Sequence, residues 1–153
     1  MSDFKSIVIF GGSSEMGQKL TKNLAELGHS VVNIDQAKSD VAGVTRYPFN
    51  AGSSQTRGVL QIVKPDLILV CEECDTDSET QVLTYVGQLC TILSFCAEYS
   101  VPQIVVTKQC EKAVEVLDTL TATEVVQVDA ELNAFKKAVY SQLEQGVKEY
   151  ADA

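Results

Sequence analysis

At 153 residues, with 45% apolar side chains, the chain is long enough for one domain with a sizeable core. Its formal charge of −9 argues against sequence-independent binding to nucleic acid, which needs a basic stripe to displace phosphate counterions; only Lys136 and Lys137 are adjacent basic residues. No stretch approaches the roughly 18 consecutive apolar residues of a membrane span, and no signal-peptide pattern opens the chain, so a cytoplasmic setting is expected.

Ser6–Phe10 (SIVIF) is a β-branched run, apolar enough to be a strand buried on both faces. A glycine-rich turn follows, then Met16, Leu20, Leu24 and Leu27 at helical spacing, closed by Gly28. Ser30–Ile34 predicts a second strand, residues 44–49 a weak third, and residues 55–63 a short helix that Pro65 ends. Leu67–Cys71 is the most hydrophobic strand candidate. Val82, Val86, Leu89, Leu93 and Cys96 mark a long helix, and Pro102 introduces a strand at Gln103–Thr107.

Beyond that point Ala113, Val116, Leu117 and Leu120 suggest a helix, and Glu124–Val128 a possible sixth strand. Leu132, Phe135, Val139, Leu143, Val147 and Tyr150 predict a final amphipathic helix. Strand–helix alternation of this kind requires parallel pairing, because each helix serves as the crossover. The expectation is a single domain over residues 1–153: a doubly wound, Rossmann-like α/β sheet of five or six strands in the order 3-2-1-4-5-6. A ligand would sit at the carboxyl ends of strands 1 and 4.

The turn reads Gly11-Gly12-Ser13-Ser14-Glu15-Met16-Gly17. A dinucleotide fingerprint needs glycine for the bend, for approach of the pyrophosphate, and for helix–sheet packing. Gly12 and Gly17 take the first and third roles, and Ser14 falls in the second, adding a Cβ and a hydroxyl where phosphate would lie. Glu15 stands in the first helical turn, where its carboxylate can answer the helix dipole. Asp35 closes the second strand 23 residues after Gly12, near the roughly 20-residue spacing of a carboxylate that accepts from ribose hydroxyls. An acid there repels a 2′-phosphate, so NAD is expected over NADP. The other reading is a nucleotide-free fold whose glycines only make the turn.

These residues carry two resemblances. GGSSEMG followed by LGHSVVNID resembles the N-terminal domain of prephenate dehydrogenases, whose turn reads GGxGxMG; the likeness carries Gly11, Gly12, Met16, Gly17 and Asp35 over as cofactor-site positions. It departs at Ser14, and again after strand 6, where that family's histidine is replaced by Val126-Gln127-Val128-Asp129. The sole histidine here is His29, placed at a helix-to-strand turn. The second resemblance is to extended short-chain dehydrogenases, whose glycines overlay Gly11, Ser14 and Gly17. Their Tyr-x-x-x-Lys would fall near Phe135 and Val139, which have neither group. Both imply an oxidoreductase-type cofactor domain without catalytic residues.

Other constellations are weaker. Cys71-Glu72-Glu73-Cys74, with Cys110 expected near the same sheet edge, could be a redox pair or a zinc site. The intervening glutamates raise thiol pKa, and ordinary buried or loop cysteines are the simpler reading, so no metal site is assigned. Glu72, Glu73, Asp75, Asp77 and Glu79 could hold a cation or act as acid and base, but a solvated loop with N-cap acids for a helix starting near Ser78 is the favoured reading. Ser13, Ser14, Ser53 and Ser54 offer hydroxyls without a histidine to activate them. The expected function is binding of NAD or a related adenine nucleotide without independent turnover, by a homodimer or with a protein partner. The alternatives are a cofactor-free interaction protein and a dehydrogenase completed by a partner subunit.

Overall fold

The computed structural model describes residues 5–71, 77–107, 124–128 and 132–151. Six parallel strands form one sheet: β1 (Ser6–Phe10), β2 (Ser30–Ile34), β3 (Val44–Tyr47), β4 (Leu67–Val70), β5 (Gln103–Thr107) and β6 (Glu124–Val128), in the order β3-β2-β1-β4-β5-β6. The helices among the described residues are α1 (Glu15–Glu26), α2 (Ser54–Val63), α3 (Glu79–Glu98) and α4 (Leu132–Ala151). This is the doubly wound order expected from the alternation, with the sixth strand present. The suggested helix around residues 113–120 lies outside the described residues.

Alternation along β1 divides the core into two layers. Val8 and Phe10 line up with Val32, Ile34, Ile68, Val70, Ile104 and Val106 against α2 and α3. Ile7 and Ile9 face the other way, with Val31, Leu67, Leu69 and Val105, against Leu20 and Leu24 of α1 and Phe135 and Val139 of α4. Both faces are covered, which is why the central strands read as unbroken apolar runs. Each fully buried Val, Ile or Leu contributes on the order of 1.5–3 kcal/mol, so this layering sets the register.

Local chemistry ends the elements. Pro48 has no N–H to continue the ladder, so β3 stops at Tyr47 and the expected strand to residue 49 is shortened. β4 stops at Val70, although the Cys71 N–H still donates to the Phe10 carbonyl at 2.8 Å. Ser14, Ser53 and Ser78 cap α1, α2 and α3 through their side chains. By length and composition α3 could cross a membrane, at a mean hydropathy of 1.2. Its buried Tyr85, Leu89, Ile92, Leu93, Phe95 and Cys96 seat it on the sheet.

His29 lies between α1 and β2, at the edge of the sheet opposite the glycine turn. Its Nδ1 accepts from the Lys5 N–H at 3.0 Å. Burial, followed by the charge of Lys5, lowers its pKa from the ordinary 6.5. The unfolded chain therefore takes up this proton first, and His29 withdraws stability as pH falls from 6.5 through the lower folded value. The loss of melting temperature between about pH 7.5 and about 5.5 should be smaller in His29→Gln than in wild type. Equal losses in the two proteins would show that this imidazole is not coupled to folding.

Candidate functional site

The bend after β1 is made at Gly11, whose φ of 79° is in the left-handed region. Gly12 follows, and a Cβ there would lie 2.7 Å from Asn33 Oδ1 and 3.1 Å from Ile9 Cγ2. A Cβ on Gly17 would lie 2.7 Å from both the Cα and the carbonyl carbon of Gly12. The first turn of α1 thus rests directly on the bend. Gly11 supplies the left-handed residue, and Gly12 and Gly17 the two close approaches.

Ser14 is extended (φ −65°, ψ 165°), and its Oγ accepts from the Gly17 N–H at 3.0 Å. The Ser13 hydroxyl turns sideways, donating to the Ala37 carbonyl at 2.9 Å, while Gln18 Nε2 donates to the Ser13 carbonyl at 2.8 Å. Glu15 points to solvent and pairs with Lys19 at 3.5 Å, with 89% of its side chain exposed. Met16 packs into the α1–α4 layer. None of these side chains fills the space in front of the helix. Among the described residues, the amides of Ser14, Glu15 and Met16 donate to nothing, so the positive end of α1 is open at that point.

Asp35 stands immediately beyond β2. Its Oδ2 accepts from the Ser13 N–H at 3.0 Å and its Oδ1 from the Ala37 N–H at 3.1 Å. An ionised carboxylate has about four acceptor sites, so room remains for hydroxyl donors. Arg46 of β3 does not pair with this carboxylate; its Nη1 donates to the carbonyls of Asp35 and Ala37 at 3.1 and 3.3 Å. The guanidinium clamps the loop from behind.

Between these parts lies a cleft of about 470 Å³ at the carboxyl ends of the strands. One side is formed by Gly11, Ser13 and Ser14 of the turn and by Asp35, Gln36 and Ala37. Phe49 and Asn50 come from the segment after β3, Cys71 from the end of β4, and Gln81, Thr84, Tyr85 and Gln88 from α3. Of the eight turn and strand positions singled out in the sequence, Gly11, Ser13, Ser14 and Asp35 line the cleft. Gly12 and Gly17 act from beneath it through close packing, and Glu15 and Met16 present only backbone. The sequence reading missed the α3 wall, Phe49, Asn50, and the buried Asn33 under the turn. The polar residue inside SVVNI was the one available signal for the last.

Phe135 and Val139 are fully buried between α4, α1 and the sheet, on the layer opposite α3. Tyr140 hydrogen-bonds Asn23 of α1. Cys96 is a core thiol pushed up to about 12 by burial, the reverse of a reactive thiolate. Among the described residues no cluster of three His, Cys, Asp or Glu could hold a metal; Cys74, Cys110, Glu72, Glu73 and Asp75 lie outside them.

The fold is that of Rossmann domains. No family model and no curated protein matches the sequence. Solved structures do match. The Bordetella bronchiseptica enzyme WbmG, in complex with NAD and UDP, superposes with a TM-score of 0.71 at 15% identity, over 82% of this chain and 53% of WbmG. The epimerase Mth375 of Methanothermobacter thermautotrophicus gives 0.61 at 18% identity, over 70% of this chain and 36% of its own. UDP-glucose 4-epimerase of Thermus thermophilus, in complex with NAD, gives 0.59 at 14% identity, over 67% and 37%. At such identities the likeness is one of fold. The chain spans about half the length of WbmG.

The packing beneath the cleft makes a direct prediction. Gly17→Ala forces α1 off the bend and should destabilise the protein by about 1–3 kcal/mol, as overpacking does. Gly87 lies in the middle of α3 with nothing within 4 Å of a Cβ. Gly87→Ala should therefore stabilise by about 0.5–1 kcal/mol. Urea denaturation of both variants tests the contrast, and a Gly17→Ala protein as stable as wild type would contradict the close approach.

Proposed function

We propose that the cleft binds NAD, or another adenine nucleotide, with the adenosine ribose at Asp35 and the diphosphate at the open amides of Ser14–Met16. The observation that carries this reading is the pairing of two unfilled features at one crevice. A helix N-terminus with free donors faces a carboxylate that retains acceptor capacity, and no side chain of residues 13–15 stands between them. Ser14 does not block the phosphate position with its hydroxyl, because that hydroxyl caps α1. The NAD complexes of WbmG and the Thermus epimerase support the reading as a property of this fold.

The preference for NAD over NADP follows from Asp35, whose carboxylate would repel a 2′-phosphate, while Arg46 lends its Nη1 to the carbonyls of Asp35 and Ala37. The spacing Gly11, Ser14, Gly17 supports the likeness to extended short-chain dehydrogenases. The narrower likeness to prephenate dehydrogenases gains no support from the matched structures. Within a cytoplasmic setting, the chain would act as a nucleotide-responsive subunit or as the cofactor half of a larger assembly.

Titration calorimetry with NAD⁺, NADH, NADP⁺ and ATP tests this. NAD⁺ or NADH should bind more tightly than NADP⁺, and Asp35→Ala should weaken NAD by about 1–3 kcal/mol, the scale of a charge-assisted hydrogen bond. Silence with all four ligands at millimolar concentration would remove the proposal in favour of a cofactor-free interaction protein.

A homodimer is proposed alongside it. The outer face of α3 exposes Leu83, Gly87, Cys90 and Ser94 at alternating four- and three-residue steps, with no charge among them. Light scattering on the wild-type chain should give twice the monomer mass, and Leu83→Glu should return it to one. A monomeric wild type would end this part.

A further inference from the structure

Resting on that reading of the cleft, we infer that Asn33 is the positioning residue of the site, holding the glycine bend and the Asp35 loop in the relation a nucleotide requires. The side chain is 1% exposed, on a strand whose other members are apolar save Ser30 at its start. Its Oδ1 accepts from the Gly12 N–H at 2.9 Å. Its Nδ2 donates to Ser13 Oγ at 3.1 Å and to Ser39 Oγ at 3.2 Å. Ser13 Oγ in turn donates to the Ala37 carbonyl. One amide group therefore joins both sides of the crevice, the bend that carries the open amides and the loop that carries the carboxylate.

The residue type is specified by this arrangement. Gly12 needs an acceptor, and the two hydroxyls need a donor, from a group small enough to lie under a glycine. Leu or Val would leave the Gly12 N–H buried without a partner. An aspartate has the right shape but, when ionised, only accepts. To satisfy it, the Ser13 hydroxyl must turn inward and release Ala37, which removes one of the bonds tying the bend to the loop. When protonated, the same carboxyl has one acceptor and one donor and reproduces most of the amide's bonds.

That difference supplies a test which a merely structural role would not pass. All hydrogen-bonded partners of Asn33 are uncharged; the charged groups bonded to the same segment are Asp35, through Ser13 and Ala37, and Arg46, the register partner of Asn33 on β3. Burial and the Asp35 charge both hold an introduced carboxyl in its neutral form to higher pH, and the Arg46 charge opposes them. NAD⁺ affinity of Asn33→Asp is measured by calorimetry against wild type at several values between about pH 5.5 and about 8. We expect near-wild-type affinity at the acid end and a loss of roughly tenfold or more at the alkaline end, the scale of one to two buried hydrogen bonds.

A ratio to wild type that does not change with pH overturns the inference and leaves the nucleotide reading standing. A wild type that binds no NAD⁺ at any pH removes both. Should Asn33→Asp fail to fold, Ser13→Ala decides. It cuts the link to Ala37 while leaving Asn33 bonded to Gly12 and Ser39, and should lower NAD⁺ affinity about fivefold with the melting temperature little changed. Unchanged affinity in that variant overturns the inference.

Discussion

The glycine bend approaches its neighbours too closely for any side chain to intervene, and the rest of the carboxyl edge follows from that approach. Gly17 lies against the Gly12 backbone, and Gly12 lies against Asn33. Because the helix starts at this depth, its first amides open into the crevice above the sheet. A Cβ at either glycine would lift α1 and carry those amides away. The hydrophobic layers below supply the rigid floor: β1 is buried from Ile7 to Phe10, so the strand cannot shift to relieve a clash at its end.

Electrostatics at the edge are arranged with few charges. In the described lining of the cleft, Asp35 is the one Asp, Glu, Lys or Arg side chain. The positive counterpart is the backbone at the start of α1, which is available to an acidic protein without recruiting lysine or arginine. Arg46 is nearby, and its Nη1 donates to two carbonyls of the Asp35 loop. The α3 wall of Gln81, Thr84 and Gln88 adds neutral polar groups. The chain's net charge of −9 and the proposed binding of an anionic nucleotide are compatible because the anion-binding element is a set of fixed dipoles.

Much of the fold was legible because it rests on continuous patterns. SIVIF, LILV and QIVVT read as strands buried on both faces, and Pro65 and Pro102 mark boundaries that the structure keeps. The cleft was legible only where glycine and carboxylate spacing have a fixed geometric meaning. Asn33 was not, since one polar residue in an apolar run gives no clue to its partners until the turn above is placed. Gln81, Thr84 and Gln88 were not singled out, because only the tertiary placement of α3 brings them to the crevice. Assigning the bend's first role to Gly12 placed the left-handed residue one position late. Sequence spacing cannot say which of two adjacent glycines has the positive φ.

The inner face of α4 is spent on packing. Phe135 and Val139, the positions where the short-chain dehydrogenase likeness would put tyrosine and lysine, are fully buried against α1 and the sheet. A phenol or an ammonium there would be buried in an apolar layer, where the charge would cost several kcal/mol unless paired. The nearby Tyr140 directs its hydroxyl to Asn23, joining α4 to α1. This helix is therefore a packing element, and its apolar inner face suits that role. The open amides and the carboxylate of the cleft lie outside the apolar layers. Packing and the proposed nucleotide site are thus carried by different parts of the fold.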